Sequence, residues 1–449
     1  MMSNRIKDEL VILFSILFTV TFIAAESGDL KGDALYLSLD RAVEISLEQN
    51  EDIQMAREAV DQRNSRVREV RSGALPSLTG GFNYTRNIKL PIIFFETDEG
   101  IQQITIGEDN AYDLSLNLEQ VVDVFGKVPK ALDMAHLFSD IGREDLQRVE
   151  SEVVFNVKSL YYGVILAERL KDVAEMSLEQ AEANLQQVES MVREGTRSRF
   201  DLLRARVEVA NRNPELIRAR NEVELAESRL KRILGLPLDK DIDLTDELKM
   251  EPFEMDVEEG IALALSRRPE IRSIQMEEEM VEVQVSLSSL ERYPSFFLQS
   301  RYLIQGQTNR TFPGNEEIAR SWNAGIGLTL PIFDGMKTSS KVDQARAQLS
   351  MTRYQKRKVK EGIRLEVIEA FQNLETAREE IMSQQANVEE AEEAYRLASI
   401  RFANGLATQL EVKDVELALN IARTNYIQSL YDYNVARARA EKAIGEKVR

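Results

Sequence analysis

The chain has no cysteine, which excludes a disulfide framework, a thiolate metal centre and a cysteine nucleophile. Its single histidine, His136, cannot build a histidine-rich metal site and reads as a surface or packing residue of a helix. Aromatics make up only 7% of the residues, with 21 Gly and 10 Pro in 449, while 30% are charged; that balance favours long charged helices over a thick globular core. Beyond Ala25 no run is apolar for long enough to cross a bilayer as a helix. The net charge of −19 argues against nucleic acid, whose binding needs clustered cations. Catalysis is equally poorly provided for. There is no phosphate-binding glycine loop, no histidine placed for a triad, and the close acidic pairs sit on helices dense with glutamate, so neither an enzyme nor a cofactor is expected.

What is present begins with an export signal. Arg5 and Lys7 precede an apolar run from Leu10 to Ala25, closed by the small residues Ala24 and Ala25 and followed by Glu26-Ser27-Gly28-Asp29. The run is short for a membrane helix and reads as a cleaved signal peptide over residues 1–25. No cysteine follows it to carry a lipid anchor. An exported chain without a second apolar span is either soluble or enters an outer membrane as strands.

The mature part is written twice. Leu39, Leu75-Pro76-Ser77 and Tyr84 return as Val257, Tyr293-Pro294-Ser295 and Tyr302, at an offset of 218; Tyr112, Lys127, Tyr161 and Gly195 return as Trp322, Lys337, Phe371 and Gly405, at an offset of 210. The difference falls between Tyr84 and Tyr112. Each copy reads as a short helix, a strand, a variable loop, a second strand and a long helical hairpin. The first repeat is expected over 26–240, an acidic linker over 241–255 and the second repeat over 256–449.

Four segments alternate with period two, near 77–86, 110–120, 295–305 and 321–331. Tyr112, Leu114, Leu116 and Leu118 fall on one face, with Asp113, Ser115 and Asn117 between them; Trp322, Ala324, Ile326 and Leu328 alternate with Asn323, Gly325, Gly327 and Thr329. Each segment is about as long as a tilted membrane strand. No other strands are at hand to form an opposing sheet. Four strands cannot close a barrel, and an open edge cannot remain in lipid, so several copies must pool their strands.

The remaining sequence is helical hairpin. From Lys130 to Gly195 there is no proline, and Leu178, Ala181, Leu185, Val188 and Val192 form a heptad seam. Val388, Ala391, Tyr395, Ala398 and Phe402 repeat it, and the returning arms carry Leu202, Ala205 and Val209, then Val412, Val415, Leu419, Ala422 and Tyr426. Asn213-Pro214 is expected to kink or break the first returning arm.

Taken together, these residues resemble the TolC-like outer membrane efflux protein family over about residues 36 to 445. The features that carry the resemblance are the repeated helix opening with Asn50-Glu51-Asp52-Ile53 and Arg268-Pro269-Glu270-Ile271, the Leu-Pro-Ser and Tyr-Pro-Ser strand starts, Leu330-Pro331-Ile332-Phe333-Asp334-Gly335, and the reversal from Arg401 to Val412. In the first copy, the run Gln120 to Gly126 departs from the Pro-Ile-Phe-Asp-Gly pattern and puts that turn in doubt. The resemblance implies a mainly α fold with a membrane β-barrel portion: a homotrimer with a twelve-stranded barrel in outer-membrane lipid, continued by a coiled-coil cylinder across the periplasm. It also implies a passive exit duct served by a periplasmic adaptor and an inner-membrane pump, as in tripartite efflux or type I secretion. The competing reading, an exported soluble coiled-coil scaffold or a periplasmic adaptor, would need the four alternating segments buried away from lipid.

Candidate site residues lie at the two helix reversals. Gly195 and Gly405 suit the left-handed residue that ends a helix. Ser198 with Asp201, and Thr408 with Glu411, have the spacing of capping boxes. Asp414 lies one turn further and is not needed for a cap; it reads either as a solvated surface residue or as part of an acidic ring. The resemblance implies that Glu411 and Asp414 surround a periplasmic gate. Arg204 stands where the first copy would have Asp414, and the opposite signs suit a tether between neighbouring hairpins.

Overall fold

A computed structural model describes residues 35–97 and 100–446; the expected signal segment 1–25 lies outside the described residues. In chain order, the strands are β1 (Leu35–Leu37), β2 (Ser77–Arg86), β3 (Ile92–Thr97), β4 (Gly100–Thr105), β5 (Asn110–Val122), β6 (Ile242–Leu244), β7 (Ser295–Thr308) and β8 (Ile318–Thr329). The helices are α1 (Leu39–Gln49), α2 (Glu51–Ser72), α3 (Lys127–Arg193), α4 (Arg199–Leu234), α5 (Val257–Arg267), α6 (Pro269–Leu290), α7 (Lys337–Ala403) and α8 (Gln409–Ala443). The two long arms α3 and α7 have 67 residues each, and their return arms α4 and α8 have 36 and 35.

The membrane-length strands form one open antiparallel sheet in the order β2-β5-β7-β8. Its register places Tyr84 opposite Tyr112, Leu116 opposite Tyr302, and Tyr302 opposite Trp322. Residues paired across strands share a face, so Phe82, Leu114, Leu116, Ile304, Ile326 and Leu328 stand on one side. Thr79, Asn117, Arg301 and Asn323 stand on the other. The apolar side has no cover: Trp322 and Ile326 are each 77% exposed. Even there the polar atoms find partners, since Trp322 Nε1 donates to Ser300 Oγ at 2.9 Å. The sheet ends at Thr329 because Pro331 has no N–H for a ladder.

Two cores hold the helices. In the first, Leu37, Ile45, Ile53, Val157, Tyr161, Leu230 and Leu234 pack β1, α1 and α2 against the α3–α4 hairpin. The Tyr161 hydroxyl sits 2.8 Å from the Leu37 carbonyl and 2.6 Å from the Asp246 carboxylate. Burial first, and then this carboxylate, raise its pKa above the ordinary phenol range. The second core packs Ile271, Val367, Phe371, Tyr433 and Ile444. Here Gly260 is required by close approach, for a Cβ would lie 2.8 Å from Phe371 Cζ.

The structure adds detail to several expectations. Pro214 does not break α4, which runs unbroken from Arg199 to Leu234. Proline removes one backbone donor, whereas the seam with α3 spans the whole arm, and Asn213 Nδ2 donates to the Val209 carbonyl at 3.3 Å beside it. The expected linker carries a strand: β6 pairs in parallel with β1, tying residues 242–244 to 35–37. The variable loop of the first copy contains the β3–β4 hairpin. The doubtful turn before α3 uses the same kind of carboxylate cap as the second copy at a different spacing, with Asp123 four residues before its helix and Asp334 three before α7. Asp123 accepts the Lys127 and Val128 N–H groups at 3.0 and 2.9 Å, as Asp334 accepts that of Thr338 at 2.8 Å.

Candidate functional site at the hairpin tips

Both reversals end their incoming helix in the same way. Gly195 has φ 76° and Gly405 φ 75°, a conformation that only glycine adopts cheaply. Thr196 N–H bonds back to Met191 O at 2.9 Å and Leu406 N–H to Arg401 O at 2.8 Å, satisfying carbonyls that the helix end leaves free.

The outgoing helices start differently. Ser198 and Asp201 make a reciprocal capping box, with Asp201 N–H donating to Ser198 Oγ at 3.2 Å and Ser198 N–H to the Asp201 carboxylate at 3.1 Å. Hydrogen bonds from the Ser198 hydroxyl and then its backbone N–H hold the Asp201 carboxyl below the usual range. At the second tip Thr408 Oγ1 accepts from Glu411 N–H at 3.2 Å and lies 3.2 Å from the Glu411 carboxylate. Asp414 is exposed and Arg204 half-buried. Among the described residues neither forms an ion pair, so within one protomer they are not tethered.

The tips are joined by other side chains. Val188 and Ala205 of the first hairpin pack with Phe402, Ala407 and Val412 of the second. The Arg197 guanidinium lies 4.9 Å from the centre of the Phe402 ring and donates to the Ala407 carbonyl at 3.4 Å. One turn inward Lys413 pairs with Glu208, which also holds Arg212 at 3.1 Å. Glu416 is buried beside them, and Asn420 Nδ2 donates to Ser177 Oγ at 3.2 Å further along.

Sequence reading missed Arg197, Glu208, Arg212, Lys413 and Glu416. A signal did exist. Ala205, Glu208, Arg212 and Leu216 follow one another at helical spacing, as do Val412, Glu416 and Leu419; these are charges lying within a seam rather than on a solvated face. Among the described residues no acidic or histidine cluster could hold a metal ion, and no helix is long and apolar enough to cross a membrane.

The sequence model of the family described as outer membrane efflux protein matches residues 42–236 and 260–446. The chain is 22% identical over 407 residues to nodulation protein T of Rhizobium leguminosarum bv. trifolii, covering 90% of this chain and 84% of that one. It is 23% identical over 405 residues to the toluene efflux pump outer membrane protein TtgF of Pseudomonas putida, with coverages of 89% and 81%. The structure is similar to the Campylobacter jejuni CmeC outer membrane channel, with a TM-score of 0.76 at 18% identity, covering 91% of this chain and 85% of the other.

Proposed function

The chain belongs to the outer membrane efflux protein family, and from that membership we propose that three copies assemble into one duct through the outer membrane. It acts as a passive exit path rather than as an enzyme. The observation that carries the assembly is the sheet: four strands with a bare apolar face and two unpaired edges, β2 and β8. An open edge in lipid leaves N–H and C=O groups without partners, at several kcal/mol each. Pairing β8 of one copy with β2 of the next removes every edge. Three copies supply twelve strands, within the range of outer-membrane barrels.

In this reading residues 1–25 are a signal peptide, 26–240 and 256–449 are two copies of one unit, and 241–255 joins them. The α3–α4 and α7–α8 hairpins continue the barrel into the periplasm. Their tips face a periplasmic adaptor and an inner-membrane pump, which supply the driving force and the cargo. Glu411 and Asp414, with Asp201 and Arg204 nearby, surround the entrance, where symmetry would turn single carboxylates into rings.

The assembly is tested by mass. Detergent-solubilised protein should run at about three times the protomer mass, and membranes washed with carbonate should retain it. A stable, water-soluble monomer would sink the reading and favour a soluble scaffold.

A further inference from the structure

Near the tips, Glu416 is an acidic residue buried with one carboxyl oxygen lacking a hydrogen-bond partner. It is 6% exposed and lies at the contact of the two hairpins, in the space between Val412 and Leu419. The guanidinium of Arg212 acts on it through space but gives its Oε1 no hydrogen bond. One Arg212 Nη lies 3.1 Å from Glu208 and the other 3.0 Å from Glu215, while Lys413 is engaged by Glu208. Glu416 Oε1, Arg212 Nε and Gln409 Oε1 are buried without a hydrogen-bond partner. A carboxylate placed so is expensive when ionised, whereas a neutral carboxyl loses far less on leaving water.

The charges acting on Glu416 are Arg212 and Glu208 from α4 and Lys413 from its own helix, and α7 brings the Tyr395 phenol near it. Burial is the largest influence and outweighs the two cations, so the Glu416 carboxyl is held above its ordinary range.

We propose that Glu416, set against Glu208, Arg212 and Lys413, is a proton-operated clasp that holds the second hairpin tip shut against the first when protonated and loosens it when ionised. The proposal rests on the reading of the tips as the duct's entrance. Its sign follows from linkage. When the tips part, Glu416 meets water and its pKa falls back toward the ordinary value of about 4.3. The shut form therefore binds the proton more tightly. The stabilisation of the shut form is complete below that ordinary value and is lost as pH rises through the raised one. Acid closes the duct. A simple surface ion pair would do the opposite, because protonating its carboxylate releases it.

Two measurements separate the clasp from the gate. Because the chain has no cysteine, Arg199→Cys and Ala403→Cys can carry spin labels that report the distance between tips in purified protein. Going from about pH 8 to about pH 5 should shorten and narrow the distance distribution, and Glu416→Gln should show the short distribution at both values. In planar bilayers the same acidification should lower conductance by about threefold or more, with Glu416→Gln low and flat throughout. A distance distribution in Glu416→Gln that still follows pH, or that is wider than the unsubstituted protein's, overturns the clasp whatever the conductance does. Distances that shift as expected while conductance stays constant establish the clasp and remove the entrance reading instead. Glu416→Ala guards against a folding artefact: it lacks both charge and hydrogen-bonding capacity, and its distances should also lose their dependence on pH.

Discussion

The sheet and the hairpin seams are built from the same apolar residue types and treat them in opposite ways. Leu116 and Trp322 lie on a face that no described residue covers fully, being 46% and 77% exposed, whereas Val188 and Leu419 are 0% and 1% exposed between helices. In the seams water drives the apolar surface inward, at about 25 cal/mol per Å² removed from water. A sheet facing hydrocarbon has no such incentive; its constraint is that each backbone group be paired within the sheet. On the proposed reading, the contrast corresponds to two solvents met by one chain. Polar residues follow the same division: Asn117 and Thr329 occupy the face away from the apolar one, while in the hairpins most charges lie outside the seam and only a few, such as Glu144, Lys231 and Glu416, are buried among the described residues.

The sharpest way to break this contrast is to place charge on each face of the sheet. Leu116→Arg or Leu328→Arg should impair insertion by about 2 to 4 kcal/mol near the bilayer midplane, while Asn117→Arg or Thr329→Arg should leave assembly intact, as read from heat-resistant oligomer in outer-membrane fractions. Equal damage on both faces would mean that the apolar face is not the lipid face.

A smaller effect is expected at the helix reversals, where water is the solvent and backbone geometry governs. Gly195→Ala and Gly405→Ala should each cost about 1 to 2 kcal/mol, because φ near 75° is open to glycine and strained for alanine, although empty space surrounds both positions. Protease cutting at the tips would report it, and unchanged cutting rates would show that the turns tolerate a Cβ. Weaker still, Ser198→Ala should cost about 1 kcal/mol through loss of the reciprocal cap, seen as faster amide exchange in the first turn of α4. Exchange that does not change would mean that solvent caps this helix equally well.

The smallest effect concerns selectivity rather than stability. Replacing Glu411 and Asp414 together by alanine should lower cation selectivity and block by multivalent cations, and the difference should fade as salt screens the mouth. Selectivity unchanged with oligomers intact would leave Glu411 only its cap and Asp414 only its solvation.

Much of this fold is legible without coordinates because period is a local property. The alternation from Tyr112 to Leu118 and the heptads from Leu178 to Val192 each state a face and a conformation within a few residues. The chemistry of the reversals is equally local, since Gly195 with Ser198 and Gly405 with Thr408 lie within one turn of each other. Pro214 does not end the helix because a single lost donor is a local cost, and a packed arm of 36 residues outweighs it.

By itself, then, the sequence determined the alternation of strands, the seams and the turns, each carried by neighbours in the chain. Only the tertiary structure decided what meets across long separations. It brought β1 to β6, Arg197 to Phe402, and Glu208 and Arg212 to Lys413 and Glu416. The physical reason is that a charge on a helix is solvated by default, and nothing in its neighbours tells that a second hairpin, some two hundred residues away, will close over it.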